Sequence, residues 1–133
     1  MITYTTDIAS SPTPVAADFF VGWPTAPSQE SFLASLKGSH AVVFAVAEDR
    51  TIGFINAISD GNLTAFIPWL EVLPEYQGKG IGQELVKRML DVLGDMYSVD
   101  LVCDEDVVPF YEKLNLIRLS GMAVRNEEAL PNT

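Results

Sequence analysis

An apolar strand ending at Val72 runs through Pro74 into three glycines at alternate positions, Gly78, Gly80 and Gly82, which open an amphipathic helix. The first turn of a helix offers N–H groups with no intrahelical partner, at the positive end of its dipole. Glycines there let the backbone close on a ligand with no Cβ in the way. The stretch EVLPEYQGKGIGQE (71–84) therefore suits a phosphate or pyrophosphate.

Two common nucleotide motifs do not fit it. A phosphate-binding loop ends in Gly-Lys-Ser/Thr after four intervening residues, and Gly78-Lys79-Gly80-Ile81 lacks that spacing. A dinucleotide fingerprint needs glycine where Gln83 stands, and it opens a βαβ unit instead of following an antiparallel meander. Glycines that only ended a strand would need to number one.

Composition narrows the partners. A chain of 133 residues is expected to form a single domain (1–133) around one core. Net charge is −10, from 18 acidic and 8 scattered basic residues. Such a surface repels a nucleic-acid backbone; it confers solubility and draws cationic small molecules. The lone Cys103 cannot form an internal disulfide and reads as a small hydrophobe in a strand, as in a reducing cytoplasm. The longest apolar run, 41–47, is too short to span a bilayer, and no leader-like stretch opens the chain, so a soluble cytoplasmic protein is expected. A mean hydropathy of +0.21 in so small a chain implies exposed apolar area and a homodimer.

Periodicity and breakers predict the element order. A strand over 1–6 leads into a proline-rich stretch holding a short helix at 15–21, and Ser28 caps a helix over 29–36. A buried strand over 41–47 turns into strands over 51–59 and 63–72, the last disturbed by Pro68, which implies a bulge or an unpaired edge. The helix after the glycines buries Leu85, Val86, Met89, Leu90 and Leu93 and stops at Gly94. A strand over 98–103, a helix over 107–114, a strand over 117–125 and a loose tail at 126–133 complete a mixed α/β order.

At these residues the chain resembles a known family. Gln77-Gly78-Lys79-Gly80-Ile81-Gly82 is similar to the Gln/Arg-x-x-Gly-x-Gly/Ala signature of the GNAT superfamily of acetyl-coenzyme A-dependent N-acyltransferases, and 70–76 resembles the strand that enters it. Pro109-Phe110-Tyr111-Glu112-Lys113-Leu114 resembles the segment after that family's fifth strand. The resemblance implies a mostly antiparallel central sheet flanked by helices, with fourth and fifth strands splayed. It also implies acetyl-coenzyme A as co-substrate, held without metal. Main-chain groups of Glu71 and Val72 would bond pantetheine, and the N–H groups of Gln77, Gly78, Lys79, Gly80, Ile81 and Gly82 would hold the pyrophosphate, with Asp104, Phe110 and Tyr111 completing the cofactor wall. Asp104 replaces the asparagine common in the family, Asn115-Leu116 replaces Gly-Phe, and Pro68-Trp69 stand where many members carry a basic carboxylate.

Acyl transfer to an amine needs a base, an oxyanion donor and an acid for the thiolate. Glu71 is the best base candidate, as a carboxylate in an apolar strand. Val72 N–H is the oxyanion donor by resemblance. Tyr111 resembles the general acid, and otherwise is a core anchor. Asp104 and Glu105 are alternatives for binding a cationic substrate, His40 reads as surface, and the cluster Phe19, Phe20, Trp23 and Phe32 packs a core, with Trp23 and Trp69 otherwise walling an acceptor pocket. The activity implied is acetyl transfer to a primary amine of a small molecule or peptide in a ternary complex; the alternative is a non-catalytic acyl-coenzyme A binding module.

Overall fold

The computed structural model describes residues 1–130. Its elements are β1 (Thr3–Thr5), α1 (Gln29–Lys37), β2 (Ala41–Ala47), β3 (Arg50–Ser59), β4 (Thr64–Val72), α2 (Ile81–Leu93), β5 (Ser98–Asp100) and α3 (Val108–Glu112). The strands form one sheet in sequence order; the first three pairings are antiparallel and β4–β5 is parallel.

Alternation along β3 separates two layers. A Cβ on Gly53 would lie 3.3 Å from Leu85 Cδ1, so this face meets α2, whose Ile81, Leu85, Val86, Met89 and Leu93 are buried. The next residue, Phe54, points the other way, into a cluster with Phe19, Phe32 and Trp69. Ser28 Oγ accepts from Ser31 N–H at 3.1 Å to cap α1, as the sequence predicts.

The expected helix at 15–21 is one 3-10 turn, Ala16–Asp18. Prolines on both sides leave too few residues for an α-helix, and tertiary bonds take its place. Ala16 N–H donates to Gln29 Oε1 and Gln29 Nε2 donates to the Pro14 carbonyl, both at 2.7 Å, which fastens this segment to α1.

The disturbance expected at Pro68 is a bulge in β4. Ile58 faces Phe66 and Asn56 faces Trp69, so Ile67 and Pro68 together oppose Ala57. Pairing of β4 with β5 spans only Thr64 to Phe66 and ends at Asp100, where a longer strand to 103 was expected. Beyond that point the two strands part.

The strand expected over 117–125 does not form: these residues have no ladder partner among those described. The tail read as loose is turned instead, since Asn126 Oδ1 accepts from Glu128 N–H at 3.1 Å over the 3-10 turn Glu127–Ala129. Residues 131–133 of that expected tail lie outside the described residues.

Candidate active site

Where β4 and β5 part, the main chain of β4 faces open space on one side. Leu73 N–H donates to the Ile52 carbonyl at 2.9 Å, and an antiparallel ladder bonds its partner at every second residue. Glu71 main-chain groups therefore also face β3; a Cβ on Gly53 would lie 3.2 Å from the Glu71 carbonyl oxygen. Leu70 and Val72 turn their N–H and C=O groups into the gap. This corrects the expectation that Glu71 offers main-chain groups to a ligand: the ladder occupies them, Leu70 takes that place, and Glu71 has only its side chain to offer. Gln77 Nε2 donates to the Val72 carbonyl at 2.9 Å, which leaves Val72 its N–H to offer the gap.

The gap opens into a cleft of about 530 Å³ whose walls include Trp23, Trp69, Glu71, Cys103, Asp104 and Tyr111. Burial pushes the Glu71 carboxyl above its usual range, and a hydrogen bond from Phe20 N–H opposes this in part. Phe20 can aim that N–H because its backbone is left-handed, with φ of 62°. Such a conformation costs a non-glycine residue of order 1 kcal/mol. The ring holds it in place, edge-on to Trp23, Phe32 and Trp69 at 4.8, 5.4 and 5.2 Å between centroids.

Across the cleft, the Tyr111 hydroxyl is pushed up to about 12, first by burial and then by the negative charge of Cys103 and Glu71. It remains protonated at any working pH. Phe110 does not line the cleft; its ring stands edge-on to Tyr111 at 4.9 Å and lies 3.5 Å from where a Gly82 Cβ would be. It therefore couples the glycine turn to Tyr111. A Cβ at Gly82 would make only an ordinary contact with that ring.

Gly78 and Gly80 have φ of 77° and 84°, and a Cβ on either would meet no protein atom within 4 Å. Their open side is a space that a ligand can fill. Gly80 supplies no side-chain cap to α2, and Glu84 N–H, bonded to the Gly80 carbonyl at 3.1 Å, is the first to close the helix. Ile81, Gly82 and Gln83 N–H groups thus point outward beside exposed Gln77 and Lys79, the arrangement of an anion site.

Other candidates fall elsewhere. Cys103 is not core but cleft wall, where burial and the neighbouring Asp104 and Glu105 push its thiol up. Asp104 is exposed at the rim. Glu105 is held by both guanidinium nitrogens of Arg118 at 2.6 and 2.7 Å, so it is not free for a substrate. His40 is exposed and away from the cleft. Among the described residues no His, Cys, Asp or Glu cluster is placed to hold a metal. Sequence reasoning missed Leu70 and the cleft residues Arg125 and Asn126, and it placed Phe20 only in an aromatic cluster. For Leu70 the signal was present, because a one-residue bulge at Pro68 exchanges which main-chain groups face the gap.

Known proteins share this fold. The model of the acetyltransferase (GNAT) family matches residues 9–116. A crystal structure from Deinococcus radiodurans R1, assigned as an acetyltransferase, superposes with a TM-score of 0.89 at 42 % identity, covering 96 % of this chain and 90 % of that one. A GNAT family protein from Streptococcus pneumoniae TIGR4 gives 0.77 at 29 % identity, covering 95 % and 98 %. An uncharacterized N-acetyltransferase of Pyropia yezoensis is 30 % identical over 104 residues, and a chloroplastic GCN5-related N-acetyltransferase of Arabidopsis thaliana is 39 % identical over 85. The matched regions are 74 % and 62 % of this chain, and only 59 % and 35 % of those longer proteins. With its splayed strands, its glycine turn and a family match over most of its length, the chain belongs to the GNAT acetyltransferase family.

Proposed function

We propose that the protein is an N-acetyltransferase that moves acetyl from acetyl-coenzyme A to a primary amine of a small molecule or peptide, by direct transfer in a ternary complex. The observation that carries this reading is that the parting of β4 and β5 puts a half-buried carboxyl, Glu71, and a half-buried phenol, Tyr111, on one cleft beside the free Val72 N–H. A module that only bound the cofactor has no need of both.

The residues fit the co-substrate. Its pyrophosphate suits the outward N–H groups of Ile81, Gly82 and Gln83, where Gly78 and Gly80 leave room, and its pantetheine suits the main-chain groups of Leu70, in the manner of an added strand. When bound, acetyl-coenzyme A supplies the thioester whose acyl carbon the amine attacks. Glu71 takes a proton from the ammonium, and its raised affinity for protons makes it a better base than a solvated carboxylate. Val72 N–H donates to the oxygen on which charge develops. The Tyr111 hydroxyl donates to the departing sulfur. Trp23 and Trp69 with Glu71 favour a cationic acceptor through cation–π and charge contact. The lone free thiol accords with a reducing, cytoplasmic setting.

Calorimetry with coenzyme A, ATP and NAD tests the cofactor assignment: coenzyme A should bind best, and chelators should not weaken it. Gly80→Val should weaken coenzyme A about 100-fold or more, since its side chain enters the open space at the turn and its β-branch strains the left-handed backbone there, with φ of 84°. A preference for ATP or NAD, or full affinity in the variant, contradicts it.

A further inference from the structure

Arg50 opens β3 straight after the two-residue turn Glu48-Asp49, whose φ values of 53° and 59° are those of a tight hairpin. Its guanidinium lies between two loops that share no strand, 3.2 Å from Asp18 Oδ2 and 3.1 Å from Glu75 Oε2. Asp18 ends the 3-10 turn Ala16–Asp18, two residues before Phe20, whose N–H meets the Glu71 carboxyl. Glu75 sits in the 3-10 turn Pro74–Tyr76, which leads from β4 to Gln77 and the glycines. Little else fastens the first of these loops. Thr51 Oγ1 donates to the Pro12 carbonyl and Gln29 binds at Pro14 and Ala16, but from Asp18 to Ser28 the bond to Arg50 is the one ion pair among the described residues. A single exposed ion pair contributes little to stability. A planar fork that spans two carboxylates fixes geometry instead, which a lone ammonium does not.

We propose that Arg50 is a positioning residue for both sides of the cleft: through Asp18 it sets the Phe20 N–H against the base, and through Glu75 it sets the turn that presents N–H groups to the pyrophosphate. The proposal rests on the roles given above to Glu71 and the glycine turn. The Phe20 ring is buried, so packing fixes where that residue sits. Packing of the ring does not fix the tilt of the Phe19–Phe20 peptide, which carries the N–H and follows the turn that Asp18 ends. On the other side, Gln77 N–H donates to the Pro74 carbonyl at 3.2 Å and Gln77 Nε2 to the Val72 carbonyl at 2.9 Å. A shift of the turn holding Glu75 therefore moves the glycines and Val72 together. Arg50 itself does not line the cleft, so what it contributes passes through the two loops.

Three variants of the full chain separate the two arms, read by calorimetry with coenzyme A and by carbon NMR titration of the Glu71 carboxyl; neither readout needs turnover. Asp18→Asn should raise the Glu71 midpoint, because the Phe20 N–H bond favours the charged carboxylate, and should leave coenzyme A affinity within about 2-fold. Loss of a nearby negative charge would by itself lower that midpoint, so a rise reports the hydrogen bond. Glu75→Gln should weaken coenzyme A about 3–10-fold and leave the Glu71 midpoint in place. Arg50→Gln should do both, and should carry the acidic limb of the pH–rate profile upward with the midpoint. The other titratable groups on the cleft, Cys103, Asp104, Tyr111, Arg125 and Glu127, are left in place by all three. A Glu71 midpoint indifferent to Asp18→Asn and Arg50→Gln overturns the proposal whether or not coenzyme A binds, and so do Asp18 and Glu75 variants that each move both readouts alike, which would mean general loosening. If the pattern holds while no amine is acetylated, the acetyl-transfer reading fails and the positioning role of Arg50 stands.

Discussion

Tyr111→Phe is expected to lower kcat by roughly 10²–10⁴, the usual contribution of a positioned acid, with coenzyme A affinity nearly unchanged. The substitution keeps the ring that packs edge-on to Phe110 and removes only the hydroxyl. The sequence alone suggests an ordinary phenol near 10; in the folded protein burial pushes it up to about 12. A donor that weak gives its proton late. The departing sulfur, cysteine-like with an affinity near 8.5 in water, is stripped of water in the same cleft and so demands a proton more strongly there. The pH–rate profile should therefore show no alkaline limb from Tyr111 below about pH 11. Steady-state kinetics with calorimetry checks this: a variant that loses coenzyme A affinity and stability while kcat holds would make Tyr111 a packing residue.

Glu71→Gln is expected to lower kcat by roughly 10²–10³ and to remove the acidic limb of the profile, which in the wild type lies above the ordinary carboxylate range because burial raises the group. The same substitution should make the protein more stable. A carboxyl whose folded pKa is raised contributes stability below its unfolded pKa and loses it as pH rises through the folded value. An ionised Glu71 thus carries a desolvation cost that glutamine does not, and Gln still accepts from Phe20 N–H. Melting temperature should rise by roughly 2–6 °C at pH 7, with the gain vanishing near pH 4. A variant that is less stable, or equally active, would remove Glu71 from the role of base.

Much of the site was legible because local chemistry dictates it. Gly78 and Gly80 adopt the left-handed backbone that favours glycine, and Pro68 makes its bulge because proline cannot donate to a ladder. Strand β2 matches its expected bounds at both ends, since a run buried on both faces tolerates no polar residue. What stayed hidden depends on distant partners. The left-handed Phe20 is held by rings from α1 and β4, and the failure of 15–21 as a helix depends on Gln29. Leu70, and not Glu71, turns its main-chain groups into the gap because facing is set by a register that only pairing with β3 defines. The segment over 117–125 alternates like a strand, yet alternation alone does not supply a ladder partner.

Amine-dependent thiol release tests the central claim most directly. With acetyl-coenzyme A and a panel of polyamines, amino acids, aminoglycosides and peptide N-termini, free thiol should appear only when both acetyl-coenzyme A and a suitable amine are present, in step with an N-acetylated product by mass spectrometry. Coenzyme A binding with no amine acetylated across the panel, or thiol release that proceeds equally without amine, would contradict an N-acetyltransferase and leave a protein that only holds the cofactor.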